Sequence, residues 1–256
     1  MIETTFLFIA GLIGGILNAV AGGGSFITFP ALLSVGISPI IANATNTFAS
    51  CAGYISGTLA FKKELVQYQS ELAKLIIISL LGGISGAWIL LQIAENQFRE
   101  AIPWLLLFAT ILFIFGTKIN NQIRNRFAKH KHSQRIGIYL SLFILLAVCT
   151  YGGFFNAGLG VVILSYFAVM GYTDINAMNG LKLLISSIVS LIAVIIFIFD
   201  GLIAWQQGLM VLIGSIIGSY VASHWSRRVS KTKIRYFVIL LSCVVTAYYF
   251  YKVYLI

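Results

Sequence analysis

A Gly-Gly pair, an Asn-Ala and then a second glycine cluster occur twice in this chain, about 138 residues apart. The first copy is Gly14-Gly15-Ile16-Leu17-Asn18-Ala19-Val20-Ala21-Gly22-Gly23-Gly24, and the second is Gly152-Gly153-Phe154-Phe155-Asn156-Ala157-Gly158-Leu159-Gly160. Both lie in strongly apolar sequence. Hydrophobic residues make up 59% of the chain and charged residues only 9%, against about 25% charged in a soluble domain. The fold class expected is therefore an all-α polytopic membrane protein. In lipid, exposed backbone amides are expensive, and each glycine weakens a helix by about 1 kcal/mol relative to alanine. A repeated helix break at membrane depth is a means of building a substrate site from backbone.

The formal charge of +10 would suggest nucleic acid as the partner of a soluble protein. Here the basic residues cluster between apolar segments, as topology signals facing a cytoplasm and anionic lipid do. The lipid bilayer is the expected partner, and nucleic acid is not. Cys51, Cys149 and Cys243 show no paired spacing, and His130, His132 and His224 have no zinc-ligand spacing, so neither metal nor cofactor is expected. No nucleophile–base pair, P-loop or HExxH motif suggests an enzyme. Ala19-Val20-Ala21 imitates a signal-peptidase site, but Glu3 is the one charged residue before it and the pattern recurs mid-chain, so it reads as structure.

The apolar segments form two matching series. Repeat 1 (1–118) is expected to contain a hairpin at 4–36, whose second arm starts near 25, and helices at about 40–61, 72–93 and 101–118. A basic loop at 119–135 follows. Repeat 2 (136–256) has a hairpin at 136–171 and helices at about 176–199, 206–224 and 235–255. Gly36-Ile37-Ser38-Pro39-Ile40-Ile41-Ala42 matches Gly171-Tyr172-Thr173-Asp174-Ile175-Asn176-Ala177, and Gly82/Gly86 matches Gly214/Gly218 as small faces for close helix approach. Three matched features in one order indicate an internal duplication.

Charge decides its sense. If each hairpin made one crossing, the basic stretch Arg227–Arg235 would face away from the basic central loop, against the positive-inside rule. If the hairpins are re-entrant, each half crosses three times and the repeats are inverted. Fourteen Lys/Arg then lie inside, including Lys62, Lys63, Lys74 and both basic loops, while Arg99 and Lys252 lie outside. The short arm of about 12 residues spans only about 18 Å of a roughly 30 Å core. This topology places 119–135 and 225–235 in the cytoplasm and both termini outside. The segment at 4–20 is long enough to cross alone if it is little tilted. Trp88, Trp104, Trp205 and Trp225 near segment ends suit the interface.

In each hairpin the short second helix begins at a glycine cluster. A helix start carries unpaired N–H groups and about half a positive charge, and glycine lets a ligand approach that backbone. Gly22, Gly23, Gly24, Gly158 and Gly160, with the hydroxyl of Ser25, are thus candidate ligands for an anion; packing alone is the plainer reading. Lys182 lies within an apolar helix, where an ionisable residue is costly and marks a functional position. A bound anion would neutralise it, or it snorkels to a hydrated vestibule. The matching position is Thr47. Asn43 and Asn46, with Asn179, occupy first turns that can line the cavity, while Asn18 and Asn156 suit capping of the broken helices. Cys149 near the second break allows thiol-dependent sulfur chemistry, although a small apolar filler is the commoner role.

These residues together resemble the sulfite exporter TauE/SafE family of bacterial membrane transporters. The resemblance rests on Gly14-Gly15-x-x-Asn18-Ala19-x-Ala21-Gly22-Gly23-Gly24-Ser25, Pro30-Ala31-Leu32-Leu33, Gly36-Ile37-Ser38-Pro39 and Ala42-Asn43-Ala44-Thr45-Asn46, and covers essentially the whole chain. The second copy is looser, with Gly158-Leu159-Gly160 for the glycine run and Ala168 at the position of Pro30. The resemblance implies secondary transport of a small sulfur-containing anion, such as sulfite, sulfoacetate or a related sulfonate, across the bacterial inner membrane. A channel of the same architecture, or a thiol-dependent carrier using Cys149, are the alternatives.

Overall fold

The computed structural model describes the backbone of residues 2–20, 22–127, 134–225 and 231–255, and side chains within these outside 116–138 and 223–235. His130 and His132, the backbone of 226–230 and the side chains of His224, Trp225 and the central basic segment therefore lie outside what is described. The described chain is all helical. In order the elements are α1 (Ile2–Val20), α2 (Ser25–Ser34), α3 (Pro39–Ala60), α4 (Lys62–Leu65) with a 3-10 turn at Val66–Tyr68, α5 (Gln69–Gln92), α6 (Glu95–Phe127), α7 (Gln134–Phe154), α8 (Leu159–Val169), α9 (Ile175–Phe199), α10 (Trp205–Trp225) and α11 (Lys231–Tyr254). Among the described residues five spans, the one on α5 taken with α4 and the turn, are long and apolar enough to cross a membrane. α2 and α8 are much shorter.

Local chemistry sets the ends of these helices. Gly36 and Gly171 carry φ of 86° and 90°. Each closes a short helix with the paired bonds of a Schellman motif: Ile37 N–H to Leu32 O and Gly36 N–H to Leu33 O in one, Tyr172 N–H to Phe167 O and Gly171 N–H to Ala168 O in the other. Pro39 then opens α3, its missing N–H falling where no intrahelical partner exists. Asp174 opens α9 by accepting from the Asn176 N–H at 2.9 Å. The Gly-Gly pairs themselves break nothing. Gly14-Gly15 and Gly152-Gly153 lie inside α1 and α7, and the helices end several residues later.

Those interior glycines are where helices touch. A Cβ on Gly15 would stand 2.3 Å from Ser215 O, and one on Gly218 only 2.0 Å from Leu12 O, so α1 and α10 meet backbone to backbone. On the other side, a Cβ on Gly86 would fall 2.1 Å from Thr150 O and one on Gly153 2.5 Å from Gly83 O, joining α5 to α7. Ser215 and Ser219 donate across the first seam to Gly11 O and Gly15 O at 3.3 and 3.1 Å. Between helices in lipid, close packing and such bonds replace the hydrophobic effect as the cohesive force.

The contacts also give the helix directions. Gly11 faces Val211 and Gly15 faces Ser215, so α1 and α10 run parallel; Ser79 meets Cys149 and Gly83 meets Gly153, so α5 and α7 do too. Cys51 meets Ser187 while Gly57 meets Leu183, so α3 and α9 are antiparallel. Thr110 meets Thr246 and Trp104 meets Tyr254, so α6 and α11 are antiparallel as well. α1 and α2 fold back on each other, with Gly14 against Thr28 and Asn18 against Gly24, and Phe6 and Ser34 lie along one groove at their shared end. One end of the bundle gathers the α2–α3, α5–α6 and α9–α10 connections, through Ile40 N–H to Glu95 Oε1 at 3.3 Å and Ala204 N–H to Thr45 Oγ1 at 3.0 Å. The opposite end gathers the α3–α5 and α8–α9 connections, where the Tyr172 hydroxyl donates to Glu71 and its ring stacks on Tyr68.

Gly218→Ala should lower the melting temperature in detergent, because the new Cβ forces two backbones apart; overpacking costs about 1–3 kcal/mol, more than alanine's gain in helix propensity. Ile84→Ala, on an exposed face of α5, should stay close to wild type. Equal melting of the two variants would contradict the backbone-contact seam.

Candidate functional site

Each hairpin turns through a few residues of non-helical backbone. In the first, α1 ends at Val20, Gly22 adopts φ 82°, and α2 starts at Ser25. Asn18 Oδ1 accepts the Gly24 N–H at 2.9 Å, satisfying a donor at the start of α2. In the second, α7 ends at Phe154, Gly158 adopts φ 79°, and α8 starts at Leu159. There the Tyr151 hydroxyl donates to Ala157 O at 2.7 Å and braces the turn. The Asn156 side chain does not cap α8. Its Oδ1 accepts from the Tyr54 hydroxyl of α3 at 2.9 Å, and its Nδ2 donates to Ser190 Oγ of α9 at 2.9 Å.

The two turns meet. A Cβ on Gly22 would lie 3.2 Å from Gly160 Cα, and one on Gly160 would lie 3.1 Å from Gly22 Cα and 3.3 Å from Cδ of Lys182. Two helix N-terminal regions thus come together with no side chain of their own between them, and a lysine stem lies against the junction. Each helix start contributes roughly half a positive charge, so the electrostatic sign of this point is positive. The other glycines serve packing. Gly23 abuts Val238 and Phe113, Gly24 abuts Gly14 O and Asn18, and Gly158 abuts Ala109.

Two polar stripes on the central antiparallel pair border the junction. On α9 they are Asn179, Lys182, Ser186 and Ser190, spaced three or four residues apart; on α3 they are Asn43, Thr47, Ser50 and Tyr54. All eight are buried, and Lys182 is only 1% exposed. Lys182 Nζ donates to Asn179 Oδ1 at 3.3 Å. Asn43 Nδ2 donates to Phe154 O at 2.9 Å, tying α3 to the last turn of α7, and Asn46 Oδ1 accepts from Thr28 Oγ1 of α2. Thr47 Oγ1 donates back to Asn43 O at 2.9 Å within its own helix. Ser25 Oγ, Asn43 Oδ1, Asn46 Nδ2 and Ser186 Oγ are buried and complete no hydrogen bond among the described residues. A buried polar atom left unsatisfied costs about 1–3 kcal/mol, so these atoms mark places where a polar ligand or water belongs.

Of the residues singled out from sequence, the structure brings Gly22, Gly160 and Lys182 to one point, with Asn179 bonded to the lysine. Asn43 and Asn46 lock the hairpins to α3 instead of standing open. Cys149 sits away from the tips on the α5–α7 seam, its Sγ 3.8 Å from Ser79 Oγ and its backbone against Gly82. Sequence reading missed Tyr54, Ser186 and Ser190. Ser186 falls one helical turn from Lys182 and Ser190 one turn from Ser186, so their signal was present; Tyr54 lies two turns from Thr47, with the equally unnoted Ser50 between them.

Long apolar helices, two short helices folded back on their neighbours and polar residues buried on α3 and α9 are the features of a multi-pass membrane protein. The chain belongs to the sulfite exporter TauE/SafE family, whose model matches residues 7–249. It is similar to the "Probable membrane transporter protein YfcA" of Escherichia coli K12, at 27% identity over 94% of this chain and 87% of the relative. A "Probable membrane transporter protein" of Haemophilus influenzae is 28% identical over 94% of this chain and 92% of its own. A "Probable membrane transporter protein ORF9" of Sinorhizobium sp. is 28% identical over 86% and 82%. No solved structure matches. The relatives are named as probable membrane transporters, so a lipid bilayer and a small transported substrate are the setting of the site.

Asn18→Ala should destabilise the protein by about 1 kcal/mol through loss of the cap, and Asn156→Ala by about 1–3 kcal/mol, because it strands the hydroxyls of both Tyr54 and Ser190. Thermal melting with tip-directed limited proteolysis checks both; a silent Asn156→Ala would remove the bridge from the account.

Proposed function

We propose that this protein is a secondary transporter that carries a small sulfur-containing oxyanion across the bacterial inner membrane by alternating access. The observation that carries the reading is the burial of Lys182 against Gly160, where the two hairpin tips meet. A lysine and two helix starts at one point in low dielectric favour a compact anion, and relatives of the sulfite exporter family supply the sulfur chemistry by analogy. Ser25, Asn179 and the unsatisfied Nδ2 of Asn46 would complete the hydrogen bonding of the oxygens, with Thr47 at the position opposite Lys182 in the other half; the unsatisfied atom of Asn43 is its Oδ1, an acceptor suited to a water.

The reading includes two inverted repeats with re-entrant hairpins. Four spans per half would set α3 and α9 parallel; three set them antiparallel, and antiparallel is how they run. The exchange of partners between halves supports it too: α1 packs on α10 as α7 packs on α5. Each hairpin also begins and ends at one end of the bundle. By the positive-inside rule the proposed topology assigns the end holding Lys62, Lys63 and Thr173 to the cytoplasm. Gly22, Gly160 and Lys182 are buried in this conformation, which fits an occluded state of a transporter better than an open channel.

Two measurements test it. In proteoliposomes, wild type should exchange external for internal radiolabelled sulfite with saturation; Lys182→Ala should lose most of this uptake while Lys182→Arg keeps a measurable part. Equal, near-wild-type uptake by both variants would take Lys182 out of the site, and flux that never saturates would favour a channel. For sidedness, Thr173→Cys and Lys63→Cys should be labelled from the cytoplasm, and Ser38→Cys and Gly201→Cys from outside. Labelling of all four from one side would overturn the inverted topology.

A further inference from the structure

An apolar groove runs along the back of the first hairpin, between α1, α2 and α11, with a volume of about 480 Å³. α1 lines it with Phe6, Ile9 and Ile13, which share one helical face and are all exposed, so the groove faces lipid. α2 lines it with Ile27, Pro30 and Ser34. From α11 come Leu241, Val245, Tyr248 and Lys252, again on one face. Gly23 abuts Val238, and the ring of Phe29 stacks on that of Tyr249, so α2 and α11 run parallel. Lys252 therefore stands at the end that holds Phe6 and Ser34, and Leu241 at the end where the hairpin turns.

The dimensions describe the occupant. From Leu241 to Lys252 the helix rises about 16 Å, close to half of a hydrocarbon core about 30 Å thick. The groove thus spans the depth of one leaflet, from the headgroups to the level of the hairpin tips. Spread over that length, 480 Å³ leaves a section of about 30 Å². An extended hydrocarbon chain fits such a slot. A helix from a second copy, about 10–12 Å across with its side chains, does not. Among the described residues lining the groove, Lys252 carries the one formal charge, and its Nζ lies 5.9 Å from the centroid of the Tyr248 ring. The Ser34 hydroxyl already donates to Ala31 O at 2.7 Å. A slot that is apolar along its length and cationic at its headgroup end complements a lipid tail with a negative head.

We propose that this groove is a binding site for an anionic phospholipid, with one acyl chain between α1, α2 and α11 and the phosphate on Lys252. Its inner end reaches Phe26. That ring stands edge-on to Phe113, with centroids 6.1 Å apart, and lies 3.9 Å from where a Cβ on Gly158 would be. The bound chain therefore supports the first hairpin from behind, next to its contact with the second. The site stands whichever anion is transported and whichever end of the bundle is cytoplasmic.

Native mass spectrometry of the full-length protein, titrated with phosphatidylglycerol or with phosphatidylethanolamine of matched chains, tests this. The wild type should hold one phosphatidylglycerol more tightly than further copies, and more tightly than phosphatidylethanolamine. Lys252→Gln should weaken that first binding about fivefold, the contribution of one lysine near an anionic headgroup. Arg99→Gln, which removes a basic residue of α6 at the same end, should leave it unchanged. Ile13→Trp should abolish it by filling the slot, whereas Ile84→Trp, on an exposed face of α5, should not. If Ile13→Trp does not fold, Ile9→Trp fills the slot from a more exposed position. Equal weakening by Lys252→Gln and Arg99→Gln, no preference for phosphatidylglycerol, or a first binding that survives the slot-filling tryptophan would overturn the proposal. Failure of the transport reading would appear separately, as absent sulfite exchange with the first lipid still bound.

Discussion

The backbone-to-backbone seams between α1 and α10 and between α5 and α7 are the contacts on which the rest depends. In a bilayer no hydrophobic gain draws helices together, so close packing must do so. Glycine at Gly11, Gly15, Gly214 and Gly218, and at Gly82, Gly86 and Gly153, removes the side chains that would hold these pairs apart. Each seam fixes the long arm of one hairpin to a helix of the other half. Only with both arms held in this way do the two turns arrive at the same point, Gly22 against Gly160.

From that meeting the chemistry of the site follows. Two helix starts bring partial positive charge, and Lys182 brings an amine, into a place with little water. Around it, α3 and α9 supply hydroxyls and amides in two stripes of helical spacing, several of them with hydrogen-bonding capacity left over. A soluble protein would tolerate such atoms at its surface. In this bundle they are buried, and their most economical use is to receive something polar that the lipid cannot supply.

Much of this was legible in the sequence, and the part that was not has a physical reason. Helix order and the stops at Gly36 and Gly171 could be read from hydropathy and turn residues because backbone chemistry is local. Gly14-Gly15 and Gly152-Gly153 were harder, since a glycine pair within an apolar helix looks alike whether it breaks the helix or lets a neighbour approach. Only the placement of Ser215 and Gly83 shows the second. Asn156 shows the same limit. Its position beside a break suits a cap, but its partners Tyr54 and Ser190 lie 102 and 34 residues away and come to it only through packing. Tyr54 was passed over because a tyrosine in an apolar helix carries no mark of its own; its role comes from what the fold sets around its hydroxyl.

The central claim, an anion site where the hairpin tips meet, is tested most directly by thermal stabilisation of purified protein titrated with sulfite, thiosulfate, sulfate and small sulfonates. A ligand present at about 100 times its dissociation constant stabilises by about 2.7 kcal/mol, which is readily seen. The account predicts a saturable rise in melting temperature with at least one of these anions in the wild type, and its loss in Lys182→Ala. No stabilisation by any of them, or the same stabilisation in Lys182→Ala, would contradict it.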